Sequence, residues 1–314
     1  MNSRLFKQVL TKAVVALVRR LPLKSRDPGR RVPVLCYHRV LPDFFEDLPY
    51  TYSILPQQFE AQMAFLAAAR FRSLSLQEYG EMARGVKPIP PRSVLITFDD
   101  GLADTHAVAW PIAQKYGMRL NIFICTGFIG QPEPVLLGKD GYRKVEAGSA
   151  LGEEPPQVRR HLQQFPHLWR PLTWPELRAW QQGGNQIGLH GHAHRKLACL
   201  SKRGLNAEVT AGVRAFEGGL GYRPRFFAPP YGWYDDYHRD IVRTLQGCGL
   251  DFIFGTHWGR ALLPTDQPVF PRLTIWAGDD LDTFSRKILG PYDWLGKFCR
   301  VMFLLRAPWR LKKP

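Results

Sequence analysis

Nowhere in these 314 residues does an uninterrupted apolar stretch reach the length needed to cross a bilayer. The one nearest the start, Ala13-Val14-Val15-Ala16-Leu17-Val18, ends at Arg19-Arg20 without a small-residue cleavage site. It is too short for a membrane anchor and marginal for a secretory leader. Cysteine is scarce: five residues, scattered, with no C-x-x-C pair, which argues against a disulfide framework or a thiolate zinc site. Cys36 and Cys125 sit inside apolar, strand-like runs as free buried thiols, as suits a reducing compartment. Internal repeats are lacking too, and no linker separates two cores, so one large domain fits the length.

Acidic residues are few, 27 against 43 Lys and Arg, for a net charge of +16. The shortage is local. Residues 1–31 carry nine basic residues and one Asp, and residues 297–314 carry six and no acid, which leaves the body between nearly neutral. A nucleic-acid enzyme lines a central groove with positive charge rather than its two ends, so nucleic acid is not an expected partner. Leu5, Phe6, Val9, Leu10, Ala13, Val14, Leu17 and Val18 recur at helical spacing, with Arg4, Lys7 and Lys12 elsewhere. This reads as a basic amphipathic helix, lying either on an anionic membrane surface or against the domain. The expected location is cytoplasmic, peripheral on the inner face of the cell membrane.

What is present centres on Ser93-Val94-Leu95-Ile96-Thr97-Phe98-Asp99-Asp100-Gly101. An apolar run of strand formers ends in two adjacent carboxylates and a glycine. Such a run reads as a buried parallel strand. Two neighbouring acids at its end repel each other unless something positive lies between them, and a divalent metal would serve. The bland alternative is a strand end whose acids meet solvent or cap the next helix. Around this stretch, Arg31–His38, Arg119–Gly127, Gln186–His190, Arg225–Gly232, Asp251–Gly255 and Val269–Trp276 read as further strands. Between them lie helices beginning near Pro56, Leu76, Thr105, Thr173, Ser201, Asp236 and Leu281. Strand–helix–strand spacing implies a parallel sheet. Residues 130–171 break the rhythm and read as an insertion over the strand ends. The expected organisation is a basic arm (1–31), one α/β barrel-like domain (32–290) and a basic, apolar tail (291–314).

His190-Gly191-His192-Ala193-His194 places three imidazoles in five residues. His190 and His194, with Asp100 as third ligand, suit zinc, and cobalt, nickel or manganese would accept the same donors. His192 points between its neighbours and is expected in a supporting or exposed position. Parallel α/β barrels carry their chemistry at the carboxyl ends of the strands, where Asp99, Asp100, His190, His194, Tyr231 and His38 all fall. A metal with open positions polarises an acyl carbonyl, and an unligated neighbouring carboxylate takes the proton of the attacking water.

Thr97-Phe98-Asp99-Asp100-Gly101, Ile187-Gly188-Leu189-His190 through His194, and Phe227-Ala228-Pro229-Pro230-Tyr231-Gly232 resemble, in order, the motifs of the polysaccharide deacetylase (NodB-homology, chitin-deacetylase-like) family, carbohydrate esterase family 4. Val34–Val40 resembles the Tyr-His segment of its bacterial members. The resemblance covers roughly residues 32–290. It implies a distorted (β/α) barrel and metal-dependent removal of N- or O-acyl groups from glycans. By position it implies Asp99 as general base, Asp100, His190 and His194 as metal ligands, and the Tyr231 backbone N–H as an oxyanion donor.

Two features depart from the family. Ala228 stands where an Arg usually orients the base, and Arg272 is the candidate replacement, with plain surface placement as its alternative. The Trp-containing and Leu-x-x-His motifs, the second of which furnishes the general acid, are not recognisable. Protonation of the leaving group then falls to His38, His257 or water. His38 is preferred because the Tyr-His segment ends a strand, against the alternative of a hydrogen-bonded core histidine. The expected function is deacetylation of an acetylated cell-envelope glycan or lipid-linked sugar, with deformylation or O-deacylation open to the same centre. The alternative is a glycan-binding or assembly protein that kept fold and metal but lost turnover.

Overall fold

A computed structural model describes residues 29–42, 52–138, 141–144, 156–290 and 293. The expected N-terminal arm, apart from residues 29–31, and the C-terminal tail, apart from residue 293, lie outside the described residues.

The order along the chain is β1 (Val34–Tyr37), β2 (Arg39–Val40), β3 (Ser53–Ile54), α1 (Pro56–Ala68), β4 (Arg72–Leu74), α2 (Leu76–Ala83) and β5 (Ser93–Phe98). A π-helical turn (Thr105–Ala109) runs into α3 (Trp110–Lys115), then β6 (Asn121–Ile124), β7 (Val135–Gly138), β8 (Gly141–Lys144), α4 (Pro156–Gln164), α5 (Pro166–Trp169), α6 (Trp174–Gln182) and β9 (Gln186–Leu189). The remainder is α7 (Lys202–Leu220), β10 (Phe226–Phe227), α8 (Arg239–Gly247), β11 (Phe252–Phe254), β12 (Val269–Phe270), β13 (Leu273–Thr274) and α9 (Leu281–Leu289).

The main sheet is parallel throughout, in the order β12-β11-β10-β9-β6-β5-β1-β13, with β4 beside the start of β5. Its two ends, β12 and β13, are adjacent in sequence. The expected last strand is therefore broken at Pro271-Arg272: its first half pairs with β11 and its second half with β1. Proline cannot donate to a ladder, and the break curls the sheet into the distorted barrel expected from the sequence.

Period-two alternation divides the strands into two faces. Leu35, Tyr37, Val94, Ile96, Phe98, Ile122, Ile124, Ile187 and Leu189 pack outward against the helices in the main core. Val34, Leu95, Phe123, Ala228, Phe252, Phe254 and Phe270 share a second cluster with Leu76 and Tyr79 of α2, which close one end of the barrel interior. By the same alternation Cys36, Thr97 and Asp99 fall on the inner face. At Gly188 a Cβ would lie 2.5 Å from the Phe123 ring, so glycine is what admits that ring.

Capping follows the sequence where it was legible. Thr173 and Glu176 form the expected capping box at α6, and Ser75 with Glu78 forms another at α2. The insertion is more ordered than its weak periodicity suggests, holding a hairpin (β7, β8) and two helices (α4, α5). It is tied to the barrel by Arg39, which is buried, pairs with Asp104 at 3.2 Å, donates to the Leu168 carbonyl at 2.7 Å and lies 4.0 Å over the Trp169 ring. No described helix is long and apolar enough to cross a membrane.

Candidate active site

The carboxyl end of β5 carries Asp99 and Asp100 into the barrel mouth, both buried. Asp100 sits at φ +81°, in the left-handed region, and Gly101 follows at φ +83°. That turn sends the two carboxylates in different directions. His194 (φ +54°) and Tyr231 (φ +65°) share the strained backbone region, a cost of roughly 1–3 kcal/mol each that surrounding structure must hold. Its bracing includes the Leu172 N–H on the Gly101 carbonyl (2.8 Å) and the Ala103 N–H on the Arg170 carbonyl (3.0 Å).

Arg272 meets Asp99. Its two terminal nitrogens donate to the two oxygens of Asp99, each at 2.7 Å, its Nε donates to the Gly255 carbonyl at 3.2 Å, and the guanidinium is fully buried. A planar fork on a carboxylate is the strongest common form of charge-assisted hydrogen bond. The surface alternative for Arg272 is excluded, and the cation expected to orient Asp99 is in place. The guanidinium lies 5.6 Å over the Phe123 ring, in the cluster to which Ala228 belongs. The small residue just after β10 and the large one at the β12–β13 break are thus two parts of one arrangement. Burial pushes the Asp99 carboxyl up, but Arg272, then His190 and His38, outweigh it and hold it below the usual range. The same contact raises Arg272 further above its ordinary value, against the effect of burial.

Asp100 faces the histidine loop. Its Oδ1 lies 3.4 Å from His190 Nε2 and 3.4 Å from His194 Nε2, and it accepts no hydrogen bond among the described residues. His190 Nδ1 is 2.7 Å from the Ala228 carbonyl. A carbonyl only accepts, so Nδ1 carries a proton and Nε2 is the nitrogen turned toward the carboxylate, where it can serve a metal. The edge of a tetrahedron with arms of about 2.0–2.1 Å is roughly 3.3–3.4 Å, so the spacing fits a zinc-like ion. Burial pushes Asp100 up, yet the two imidazoles pull it well below its ordinary range. The residues fit the metal that the sequence implies.

The loop carrying these histidines is held by a residue the sequence did not single out. Glu208 of α7, buried, accepts the His192 N–H at 2.8 Å and the Ala193 N–H at 2.7 Å with one oxygen. No motif marks it, because its partners are backbone amides. His192 contacts Thr126 Oγ1 through Nδ1 at 3.0 Å, in the supporting position expected.

His38 is brought to the site. Its Nε2 is 4.0 Å from Asp99 Oδ2, while its Nδ1 makes no hydrogen bond among the described residues. It is thus not the hydrogen-bonded core histidine of the alternative. Burial lowers its pKa, Asp100 and Asp99 oppose that, and Arg272 and His190 add to it. Tyr52 stacks on His38 with centroids 4.8 Å apart, and Trp276, partly exposed, lies 4.8 Å beyond. The Tyr231 ring lies edge-on to His194 at 5.2 Å. His257 is engaged elsewhere, its Nδ1 2.9 Å from the Tyr237 hydroxyl and its ring 5.4 Å from Tyr234.

The family model for polysaccharide deacetylase matches residues 87–248, just over half the chain, and takes in Asp99, Asp100, the histidine loop and Tyr231. The chain belongs to the polysaccharide deacetylase family. It is 34% identical over 120 residues to the poly-beta-1,6-N-acetyl-D-glucosamine N-deacetylase of Staphylococcus aureus, a match covering 35% of this chain and 41% of that protein. YxkH of Bacillus subtilis is 32% identical over 108 residues, covering 34% and 36%. The matches thus span only about two fifths of these curated relatives. Among solved structures, the Streptococcus pyogenes deacetylase PplD in complex with acetate superposes with a TM-score of 0.63 at 18% identity, covering 83% of this chain and 99% of that one. IcaB from Ammonifex degensii gives 0.60 at 22%, covering 83% and 95%. Both support the barrel assignment.

Proposed function

We propose that this protein is a metal-dependent deacetylase that removes N-acetyl groups from an amino-sugar glycan. The observation that carries the reading is the division of labour between adjacent carboxylates: Asp100 converges with His190 and His194, while Asp99 is clamped by Arg272. A metal held by Asp100, His190 and His194 supplies Lewis acidity toward the acyl oxygen and the attacking water. The Arg272 fork fixes the direction of Asp99 and keeps it ionised, ready to take a proton from that water. His38 Nε2, 4.0 Å from Asp99 Oδ2, is the group in reach to carry a proton onward to the leaving nitrogen. Tyr231, beside His194, presents its backbone N–H to the developing oxyanion. Tyr52 and Trp276 offer apolar faces on which a sugar ring can lie.

The relative that acts on poly-beta-1,6-N-acetyl-D-glucosamine makes a polymer of N-acetylglucosamine the first substrate to try. The basic ends of the chain support peripheral attachment at the inner face of the membrane, with a lipid-linked sugar as the related substrate. The absent motif Arg and the absent general-acid His both support a binding-only protein; Arg272 removes the first of these supports, and the intact Asp99-Asp100 pair opposes that reading.

The test is acetate release by zinc-loaded protein from β-1,6-linked N-acetylglucosamine oligomers and lipid-linked amino sugars, beside Asp99→Asn. Release by the wild type and its loss in the variant are expected. Equal inactivity of both, with glycan still bound, would overturn the enzyme. Deletion of residues 1–31 should weaken flotation with anionic vesicles, and unchanged flotation would overturn the arm's part in the membrane contact.

A further inference from the structure

Three ligand-type atoms on the far side of Asp99 are not used by the Asp100 centre. Cys36 Sγ lies 3.6 Å from Asp99 Oδ2, and His38 Nε2 lies 4.0 Å from the same oxygen. All three atoms fall within 4.8 Å of one another. They come from the inner face of β1 and the end of β5, which pair in register as Cys36 with Thr97 and Tyr37 with Phe98. Arg272 occupies one side of each Asp99 oxygen, and a carboxylate oxygen retains a second lone pair.

We infer that Cys36, His38 and Asp99 form a second metal site, selective for a thiophilic divalent cation such as cadmium or excess zinc. The spacing supports it. With a metal–sulfur bond of about 2.3 Å and a metal–oxygen bond of about 2.0–2.2 Å, a tetrahedral S···O edge is roughly 3.5 Å. The Sγ–Oδ2 pair already has that separation across a thiol hydrogen bond that metal binding would replace, and His38 would close from 4.0 Å by rotation. Nothing restrains that rotation through Nδ1, which has no hydrogen-bond partner among the described residues. Entry is past His38, whose side chain is 15% exposed, whereas Cys36 is fully buried.

The donor set separates the two centres chemically. The Asp100 centre offers one oxygen and two imidazole nitrogens, while the second offers sulfur, nitrogen and oxygen, the softer combination. Binding forms a metal–sulfur bond and releases the Cys36 thiol proton to solvent, since the thiolate is the ligand. Filling this site also requires loss of the Cys36 thiol proton, which the Asp100 centre does not ask for, so this site fills after the Asp100 centre. Its occupancy engages Asp99 as a ligand and withdraws it as a base. That consequence rests on the deacetylase reading; the binding itself does not.

Full-length protein preloaded with one equivalent of zinc is titrated with cadmium while the ultraviolet thiolate-to-cadmium charge-transfer band is followed. A band saturating at one cadmium per chain is expected. It should vanish in Cys36→Ser, which removes the sulfur, and weaken at least roughly tenfold in apparent affinity in His38→Gln, a loss comparable to removing a group that merely supports a ligand. It should persist in Cys199→Ser, which alters an exposed thiol. No band, or one that survives both Cys36→Ser and His38→Gln, overturns the site. Acetate release should fall in step with the band, and release unchanged at saturation overturns the effect on the base. A band without any acetate release from the zinc form counts against the deacetylase and leaves the site standing.

Discussion

Asp99 and Asp100 are neighbours in sequence, both buried in the barrel mouth, and their burial is compensated in opposite ways. Asp99 belongs to a wall made by β1, β5 and the β12–β13 break, where a fixed guanidinium neutralises it through two bonds of 2.7 Å. Asp100 belongs to a wall made by the histidine loop, where its Oδ1 lies 3.4 Å from two imidazole nitrogens and accepts no hydrogen bond among the described residues. A buried charge must be paired or must coordinate a metal. The first wall has its carboxylate charge matched by Arg272 without any metal, whereas the second calls for a cation. The pair therefore divides into an oriented base and a metal ligand through what faces each carboxylate.

The sharpest test of that division is to remove each carboxylate's function separately. Asp99→Asn should lower acetate release by roughly 10²–10⁴-fold, the usual contribution of a general base, while zinc content after loading with one equivalent stays at the wild-type level. His190→Ala should lose the metal as well. Loss of metal in Asp99→Asn would collapse the distinction between the walls. Next in size, Arg272→Met leaves Asp99 buried and unpaired and should destabilise the metal-free protein by about 3–5 kcal/mol in urea unfolding. Adding Asp99→Asn to Arg272→Met should recover most of that loss, because no buried charge then remains unmatched. On the other wall, Glu208→Ala should weaken metal binding by roughly 10–100-fold in chelator competition, and Glu208→Gln, which keeps an acceptor oxygen, should weaken it less.

The smallest effect concerns the brace behind Asp100. Burial pushes the Glu176 carboxyl up, but Arg170 and Thr173 outweigh it and bring it down to about 2 from an ordinary 4.5. A folded-state value below the unfolded one means stability that is fully present above pH 4.5 and lost as pH falls toward 2. Thermal melts between pH 5 and pH 3 should therefore fall more steeply for wild type than for Glu176→Gln. The difference is small because the ion pair with Arg170 is a quarter exposed on each side.

Much of this was legible in the chain. The apolar run ending at Asp99-Asp100, the His190-to-His194 spacing and the Thr173–Glu176 box are local patterns, and local patterns survive folding. The π-helical turn at Thr105–Ala109 was not visible, because an i to i+5 bond leaves no distinct period in so short a stretch. Val269–Trp276 looked like one strand because its apolar alternation continues through Pro271-Arg272. Only the exchange of pairing partners, β11 for β1, reveals the break. Glu208 stayed hidden because it serves amides 15 and 16 residues away.

By itself the sequence determined which chemistry could occur: two carboxylates at a strand end, two imidazoles at metal spacing and the barrel that gathers strand ends at one mouth. Tertiary structure decided which groups face one another. Arg272 lies 173 residues from Asp99 along the chain and reaches it only because the sheet closes at the proline that precedes it. Cys36 and His38 share the inner face with Asp99 because β1 and β5 pair in one register and not the next. Strand alternation is written locally, but the partner across the ladder, and so the charge beside each acid, is set only by closure of the barrel.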